Sequence, residues 1–211
     1  MDLAFVRSRS RRDTRRLLSA GFTLIELLVV CAIIIVVTGL ILIDNNKFGG
    51  EVILENLAYD VALSVRQAQV YGIAVNRFGS NTFTAGYGIH FASASPSTYV
   101  LFADLKGNGM YDPSYSPSEL VQTINLTQGY AITNLCATPA SSNTETCGLS
   151  SLDILFKRPE PDAYISQNGI SAITSPAALQ QEARILLISP KGQIVPVEVD
   201  ATGQISVQSQ Q

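Results

Sequence analysis

One carboxylate in this chain, Glu26, has surroundings that make it a candidate for chemistry. It lies near the start of an apolar run from Phe22 to Ile43, and it is the only acidic or basic side chain in those 22 residues. A carboxylate is costly to bury in lipid or among apolar helices unless a cation pairs with it. The position of Glu26 therefore predicts a functional role built on ion pairing.

A second candidate is a segment in which oxygen-bearing residues and glycines are closely spaced, as in a calcium-binding loop. The residues at ligand and turn positions are Asp104, Asn108, Gly109 and Asp112. Lys106 places a cation at a ligand position, and Tyr115 stands where a bidentate glutamate is expected. A tight hairpin turn with Asn-Gly chemistry explains the same residues without a metal. We favour the hairpin and keep Ca²⁺ as the alternative.

The remaining reactive residues do not form a catalytic pattern. His90 is the only histidine, lies in a predicted strand, and has no visible carboxylate partner or nucleophile motif. The two cysteines Cys136 and Cys147 and the distant His90 do not have zinc-binding spacing, and no Gly-rich phosphate loop is present. The sequence therefore predicts no enzyme.

The apolar run is long enough to cross a membrane. A helix of that length spans about 33 Å, and the hydrocarbon core of a bilayer is roughly 30 Å thick. Six arginines against two aspartates in residues 1–21 predict that the N-terminus stays in the cytoplasm and that the rest of the chain is exported. A plain secretory signal has a shorter apolar core and a small-x-small cleavage site, which Asp44-Asn45-Asn46-Lys47 does not provide.

Export decides the expected chemistry of the cysteines. In an oxidising compartment Cys136 and Cys147, which flank a polar segment, are expected to form a disulfide. Closing a loop of about 12 residues would stabilise the domain by about 3 kcal/mol. Cys31 lies within the apolar run and is interpreted as a small apolar filler.

The residues around Glu26 resemble the N-terminus of type IV pilins and type II secretion pseudopilins. In that family a basic leader ends in glycine and is followed by Phe-Thr-Leu-Ile-Glu and an unbroken apolar helix. Here the leader ends at Ala20-Gly21, and the residues from Phe22 to Glu26 read Phe-Thr-Leu-Ile-Glu. The resemblance covers about 25 residues of the chain.

The resemblance implies how the N-terminus is processed and used. A prepilin peptidase would cut between Gly21 and Phe22 and methylate the new amine of Phe22. Residues 1–21 would then be a leader peptide and residues 22–43 a helix that leaves the membrane to form the filament core. The ammonium of Phe22 on a neighbouring subunit would pair with Glu26 and set the axial stagger between subunits.

A break and a second helical segment follow the apolar run. Residues 44–50 contain two adjacent glycines, each costing about 1 kcal/mol in a helix interior, so a flexible break is expected there. Residues 51–76 form a predicted amphipathic stem. Its apolar stripe consists of Leu54, Leu57, Ala58, Val61, Val65 and Ala68. The order of leucine, small residues, arginine and alanine over residues 57–69 is similar to the stem of H-type minor pseudopilins.

Residues 77–211 are predicted to form a β-rich domain. Period-two alternation gives candidate strands at Tyr87–Phe91, Tyr99–Ala103, Leu120–Leu126, Leu152–Phe156, Arg184–Ile188, Ile194–Val199 and Ile205–Val207. The last three are close together and predict an antiparallel meander, a C-terminal finish that again resembles H-type pseudopilins. The fold class is α+β, with a long N-terminal helix whose second half packs on antiparallel sheet.

The expected function is a structural subunit, a minor pilin or pseudopilin. The expected partners are the prepilin peptidase, other pilin or pseudopilin subunits, the inner-membrane assembly platform and, before assembly, the bacterial inner membrane; the assembled form would be a periplasmic or cell-surface filament. One alternative is a DNA-uptake minor pilin, and another is a plain membrane-tethered β domain. After removal of the leader, 8 of 14 basic and 15 of 17 acidic residues remain, a balance that does not favour nucleic acid as a partner.

Overall fold

A computed structural model describes residues 21–74, Phe78 and residues 85–208, with the backbone alone over residues 43–49. Its contacts divide the chain into residues 1–45 and residues 46–211, which we describe separately. The elements in chain order are α1 (Leu24–Ile73), β1 (Gly86–Ala92), β2 (Thr98–Asp104), β3 (Leu120–Asn125), β4 (Ala131–Pro139), β5 (Thr146–Cys147), β6 (Ser151–Phe156), β7 (Ala163–Gln167), a 3₁₀ turn (Pro176–Ala178), β8 (Gln180–Ile188), β9 (Ile194–Asp200) and β10 (Ile205–Val207).

The first unit contains the apolar part of α1. Leu24–Leu42 has a mean hydropathy of 3.0, and by length and composition it is long enough to cross a membrane. All side chains over residues 21–42 are exposed. The backbone stays helical through residues 44–50, where the glycines predicted an interruption. Continuing a helix across two glycines costs less than ending it and starting a new one, because nucleation is the unfavourable step of helix formation. The flexibility of this segment stays a prediction.

The second unit is α+β, as predicted, and its strands form two antiparallel sheets. Sheet one has the order β3-β2-β1-β6-β7, and sheet two has the order β10-β9-β8-β4-β5. The predicted C-terminal meander is confirmed by the pairing of β8 with β9 and of β9 with β10. All seven predicted strands are present to within a few residues at their ends.

The core lies between the second half of α1 and the two sheets. Five residues of the predicted helical stripe are fully buried, namely Leu54, Ala58, Val61, Val65 and Ala68, whereas Leu57 is partly buried. They pack with alternate residues of the sheets, such as Ile89 of β1 and Ile185 of β8. The stripe prediction is confirmed. Residues that recur with a period of 3.6 lie on one face of a helix, and here that face is the buried one.

Small residues allow the end of α1 to lie directly on sheet one. A Cβ atom at Gly72 would be 2.3 Å from the carbonyl oxygen of Phe156, which no real Cβ contact allows. Near it, the buried Gln69 donates from Nε2 to the carbonyl oxygens of Pro161 at 3.0 Å and Gly203 at 3.1 Å. One amide group therefore joins the helix to the segment before β7 and to the turn between β9 and β10.

Three strands were not predicted, and each was missed because of a feature of its own sequence. In β4 the pairing with β8 shifts register between Ile132 and Asn134, and such a bulge interrupts the alternation on which strand prediction depends. β5 contains only Thr146 and Cys147. β7 has five residues and follows a segment with two prolines, so its hydrophobic pattern is too short to stand out.

Candidate processing and assembly site

The N-terminus of α1 is capped by Thr23. The Glu26 backbone N–H donates to Thr23 Oγ1 at 3.3 Å, and the Leu27 N–H donates to the Thr23 carbonyl oxygen at 3.1 Å. Threonine at the N-cap with glutamate three residues later is a capping-box spacing. Sequence analysis assigned no role to Thr23, although the Thr-x-x-Glu spacing was a signal that could have found it.

The predicted cleavage bond lies just before this cap. Gly21 and Phe22 precede the first helical residue, Leu24, and both are exposed; Phe22 is 78% exposed. A Cβ atom added at Gly21 would meet nothing within 4 Å. The bond between Gly21 and Phe22 therefore lies in exposed backbone outside the helix. The predicted leader residues 1–20 lie outside the described residues.

Glu26 lies in the first turn of α1, one turn beyond Phe22. Its neighbours along the helix are exposed apolar side chains, among them Ile25 and Val29. Within the described residues no side chain forms an ion pair with its carboxylate, while the helix N-terminus is electrostatically favourable for an acid. The arrangement leaves this carboxylate available to a cation from outside the described chain.

The predicted calcium ligands lie together in the loop of residues 105–119, which connects β2 to β3, with Asp104 at its start. The connection is much longer than the tight hairpin we favoured, so that part of the prediction is wrong. Asp104 is buried and accepts three backbone N–H groups: Oδ1 accepts from Gly107 at 2.7 Å and Asn108 at 3.1 Å, and Oδ2 accepts from Gly109 at 2.8 Å. Both carboxylate oxygens of Asp104 are thus used to fold the loop.

The other two candidate ligands are also engaged within the loop. Asn108 Oδ1 accepts the Met110 N–H at 3.2 Å. Lys106 Nζ lies 2.8 Å from Asp112 Oδ2, and this hydrogen bond lowers the pKa of Asp112 from its usual value and raises that of Lys106. Lys106, which departs from the calcium motif, is therefore the counter-ion of Asp112.

Glu119, which sequence analysis missed, closes the other end of this loop. It is fully buried, and its Oε1 accepts from the N–H groups of Leu105 and Lys106, both at 3.1 Å, while Oε2 accepts from Asp112 at 2.8 Å. Burial raises the pKa of Glu119, although these backbone donors act in the opposite direction. A glutamate just before a strand gives no sequence signal for such a role.

A third buried carboxylate, Asp153 of β6, holds the loop to the outer face of sheet one. Its Oδ1 accepts the Tyr111 N–H at 3.1 Å and lies 2.7 Å from His90 Nδ1. His90 and Asp153 are direct neighbours in the pairing of β1 with β6, so the carboxylate partner that the sequence did not reveal comes from a strand far along the chain. Ser166 of β7, the cross-strand neighbour of Asp153, donates its hydroxyl to the Gly109 carbonyl oxygen, so all three side chains hold the loop in place.

The predicted disulfide between Cys136 and Cys147 is present and joins β4 to β5. Among the described residues, one group of three potential metal-ligating side chains lies close together, namely Cys136, Glu145 and Cys147. Because both sulfurs are already bonded to each other, the group is a disulfide next to a carboxylate. Cys31 is a free cysteine in α1.

Two basic residues of the C-terminal region, Arg184 and Lys157, have partners within the domain. Arg184 lies between three acids, with Nε 3.0 Å from Glu198, NH1 3.3 Å from Glu145 and NH2 3.9 Å from Glu182. Lys157 Nζ lies 4.5 Å from the centre of the Tyr164 ring. The charge of Arg184 is therefore offset within the domain, which does not favour a phosphate backbone as its partner.

Comparison with known proteins supports the resemblance of the N-terminus. Residues 16–42 match the family model described as the prokaryotic N-terminal methylation motif. No curated protein and no solved structure shows significant similarity to the chain. The match covers the bond between Gly21 and Phe22, the cap at Thr23, Glu26 and the apolar helix, and it supports a relationship of this chain with type IV pilins and pseudopilins.

Proposed function

We propose that this protein is a structural subunit of a type IV pilus or a type II secretion pseudopilus, processed by a prepilin peptidase before assembly. The observation that carries the proposal is the methylation-motif match over residues 16–42 together with the exposed, non-helical bond between Gly21 and Phe22. The role is structural rather than catalytic. The stem and C-terminal patterns favour a minor subunit of the H type.

In this proposal the apolar helix has two successive environments. It first anchors the chain in the bacterial inner membrane, with the N-terminus in the cytoplasm, and it then packs with the helices of other subunits in a filament in the periplasm or at the cell surface. An apolar surface that is exposed on all sides of a helix suits both lipid and a bundle of equivalent helices. The assembly platform of the inner membrane would transfer the subunit between them.

The proposal is tested by co-expressing the full chain with a prepilin peptidase. We expect a decrease in mass that corresponds to removal of residues 1–21, and mass spectrometry should find a methylated Phe22 as the new N-terminus. The matched control is Gly21→Leu, which should stay uncut because the side chain obstructs the substrate position. A wild-type chain that retains Met1 under these conditions would leave only a membrane-tethered domain.

We propose that the 105–119 loop folds without a metal ion, because the oxygens of Asp104 and Glu119 already accept backbone N–H groups. Calorimetric titration of the purified full chain with CaCl₂ tests this. We expect no heat beyond dilution and no change in the unfolding temperature. Saturable binding that disappears in Asp104→Asn would instead establish the calcium alternative.

A further inference from the structure

The two sheets have four edges, and three of them are short or partly occupied. The edge strands are β3 and β7 in sheet one and β5 and β10 in sheet two. β5 has two residues and β10 has three, and such short edges offer little to a partner. At the two ends of β7, the Ala163 N–H donates to the Ala201 carbonyl oxygen at 2.8 Å and the Gln167 N–H donates to that of Ile170 at 3.2 Å. The edge formed by β3 differs from these three.

β3 leaves a regular set of backbone groups unpaired. Just beyond its end, the Leu126 N–H donates to the carbonyl oxygen of Ser97, the residue before β2, at 2.8 Å. Alternate residues of an antiparallel strand bond to the same neighbour, so Thr123 and Asn125 direct their N–H and C=O groups away from β2. In the part of the chain that the structure describes, no hydrogen bond uses these four groups.

The side chains of this segment would not repel another strand. Thr123 and Asn125 are exposed, and residues 120–144 contain no acidic or basic side chain. Edge strands are commonly protected by charges, prolines or bulges. Here one bulge is present, where the pairing of β3 with β2 shifts register after Leu101. It leaves residues 122–126 as the regular part of the strand, which we call the β3 edge.

A second copy of the chain matches the chemistry of the β3 edge but not the geometry of an anchored protein. Antiparallel pairing of β3 with β3 relates two copies by a two-fold axis perpendicular to the sheet. Because the second half of α1 packs along the sheets, this rotation would point the two stems in opposite directions. In the proposed function both stems lead to the same membrane, so two anchored copies cannot pair in this way. The partner is therefore a segment that is free of this constraint.

We propose that the β3 edge binds an extended, uncharged peptide segment of another protein, which adds to the five strands of sheet one as an antiparallel sixth. In strand addition the backbone hydrogen bonds supply affinity, and the side chains of alternate residues select the sequence. Four hydrogen bonds form at Thr123 and Asn125. An apolar residue of the segment packs against Ile124, which is partly buried at the margin of the core. The inference goes beyond the proposed function, on which only the exclusion of a second copy rests.

The probe is a labelled peptide with the sequence of residues 120–127, which is uncharged and, as a free peptide, not anchored. With Thr123 of the peptide opposite Asn125 of the chain, all four free groups are used and the two Ile124 side chains face each other. Fluorescence anisotropy with the purified full chain in detergent measures binding. We expect N-methylation of the peptide at Thr123 and Asn125 to lower its affinity about tenfold or more. The matched control, N-methylation at Gln122 and Ile124 on its other edge, should lower it much less.

Cysteine pairing then checks the register of the added strand. In a chain with Cys31→Ala, Ile124→Cys should form a disulfide with a peptide that carries cysteine in place of its own Ile124, because directly opposite residues are close enough for this bond. The control is Thr123→Cys, the neighbouring residue on the other face of the sheet, which should form little of this disulfide.

A proline variant tests the backbone of the chain itself. Asn125→Pro removes an N–H group that points away from β2, and edge strands tolerate proline at such positions. It should weaken peptide binding about tenfold while the unfolding temperature changes little. No saturable binding, equal effects of the two N-methylations, equal disulfide yields at both positions, or full binding to Asn125→Pro would each overturn the inference. Leader removal plays no part in these measurements, so its failure would count against the proposed function alone.

Discussion

The carboxylates in the two units of this chain have opposite surroundings: one has no described partner, and the others are buried and hydrogen-bonded. Glu26 lies among exposed apolar side chains, and no described side chain pairs with it. Asp104, Glu119 and Asp153 are buried in the folded domain, and their oxygens accept backbone N–H groups. The difference teaches that an acid left unsatisfied in apolar surroundings indicates an external partner, whereas a satisfied buried acid maintains the fold. The predictions below test both halves of this contrast.

The largest expected effect is on assembly. Glu26→Ala removes the acid that would pair with the Phe22 ammonium of a neighbour, so we expect processing to continue and filament incorporation to fall close to zero. Filament yield is measured by shearing and immunoblotting, and processing by mass. The control Glu51→Ala changes an exposed acid of the stem and should assemble normally. Normal incorporation of Glu26→Ala would remove the assembly role.

The next effect is on the stability of the folded domain. Asp104→Ala leaves three backbone N–H groups of the 105–119 loop without their acceptor, and we expect the free energy of unfolding to decrease by about 3 kcal/mol. Denaturant unfolding of the full chain in detergent measures it. Asp112→Ala, in the same loop but with a partly exposed carboxylate, should lower the free energy of unfolding clearly less. Equal losses in both variants would contradict the contrast between buried and partly exposed acids.

A smaller loss is expected where α1 meets sheet one. Gly72→Ala places a Cβ atom 2.3 Å from the Phe156 carbonyl oxygen, and the required shift should cost about 2 kcal/mol. Gly50→Ala is the matched control, because its Cβ would meet only the flexible side chains of Gln193 at 3.3 Å and Lys191 at 3.8 Å. That variant should be neutral or gain up to about 1 kcal/mol from helix propensity. A stable Gly72→Ala protein would mean that the helix lies farther from β6.

The smallest effect is a pH dependence. Burial raises the pKa of Glu119 above its unfolded value, so the folded state binds more protons in the interval between the two values. Its contribution to stability is complete below the unfolded pKa and is lost as the pH rises through the folded pKa. Comparing wild type with Glu119→Gln from pH 4 upward should show that the variant lacks this decline. An identical pH profile for both proteins would assign the titration to another group.

The sequence predicted elements whose evidence is local. The stripe from Leu54 to Ala68 and the alternation in β1, β2 and β9 depend only on neighbouring residues, and the structure confirms them. The division of the strands between two sheets was not predicted, because a hydrophobic pattern identifies a buried face and not the strand that lies beside it. β4 was missed for a related reason, since its bulge breaks the pattern.

The candidate sites also divide into one that depends on neighbouring residues and one that depends on residues far apart in the sequence. The Thr23 cap, Glu26 and the bond between Gly21 and Phe22 are contiguous in sequence, so their arrangement could be predicted except for the cap itself. The loop of residues 105–119 depends on Asp153 and His90, which lie 42 and 63 residues from their partners. No spacing rule connects such distant residues, so the sequence did not show that these carboxylates accept backbone N–H groups of the loop.

Gln69 has a mechanical consequence. Because its amide is bonded both to the carbonyl before β7 and to the carbonyl in the turn between β9 and β10, a pull along the stem reaches both sheets through one side chain. Separating either sheet from the helix at this point would also strain the hydrogen bond to the other sheet. The helix and the two sheets therefore resist tension together at this end of the domain.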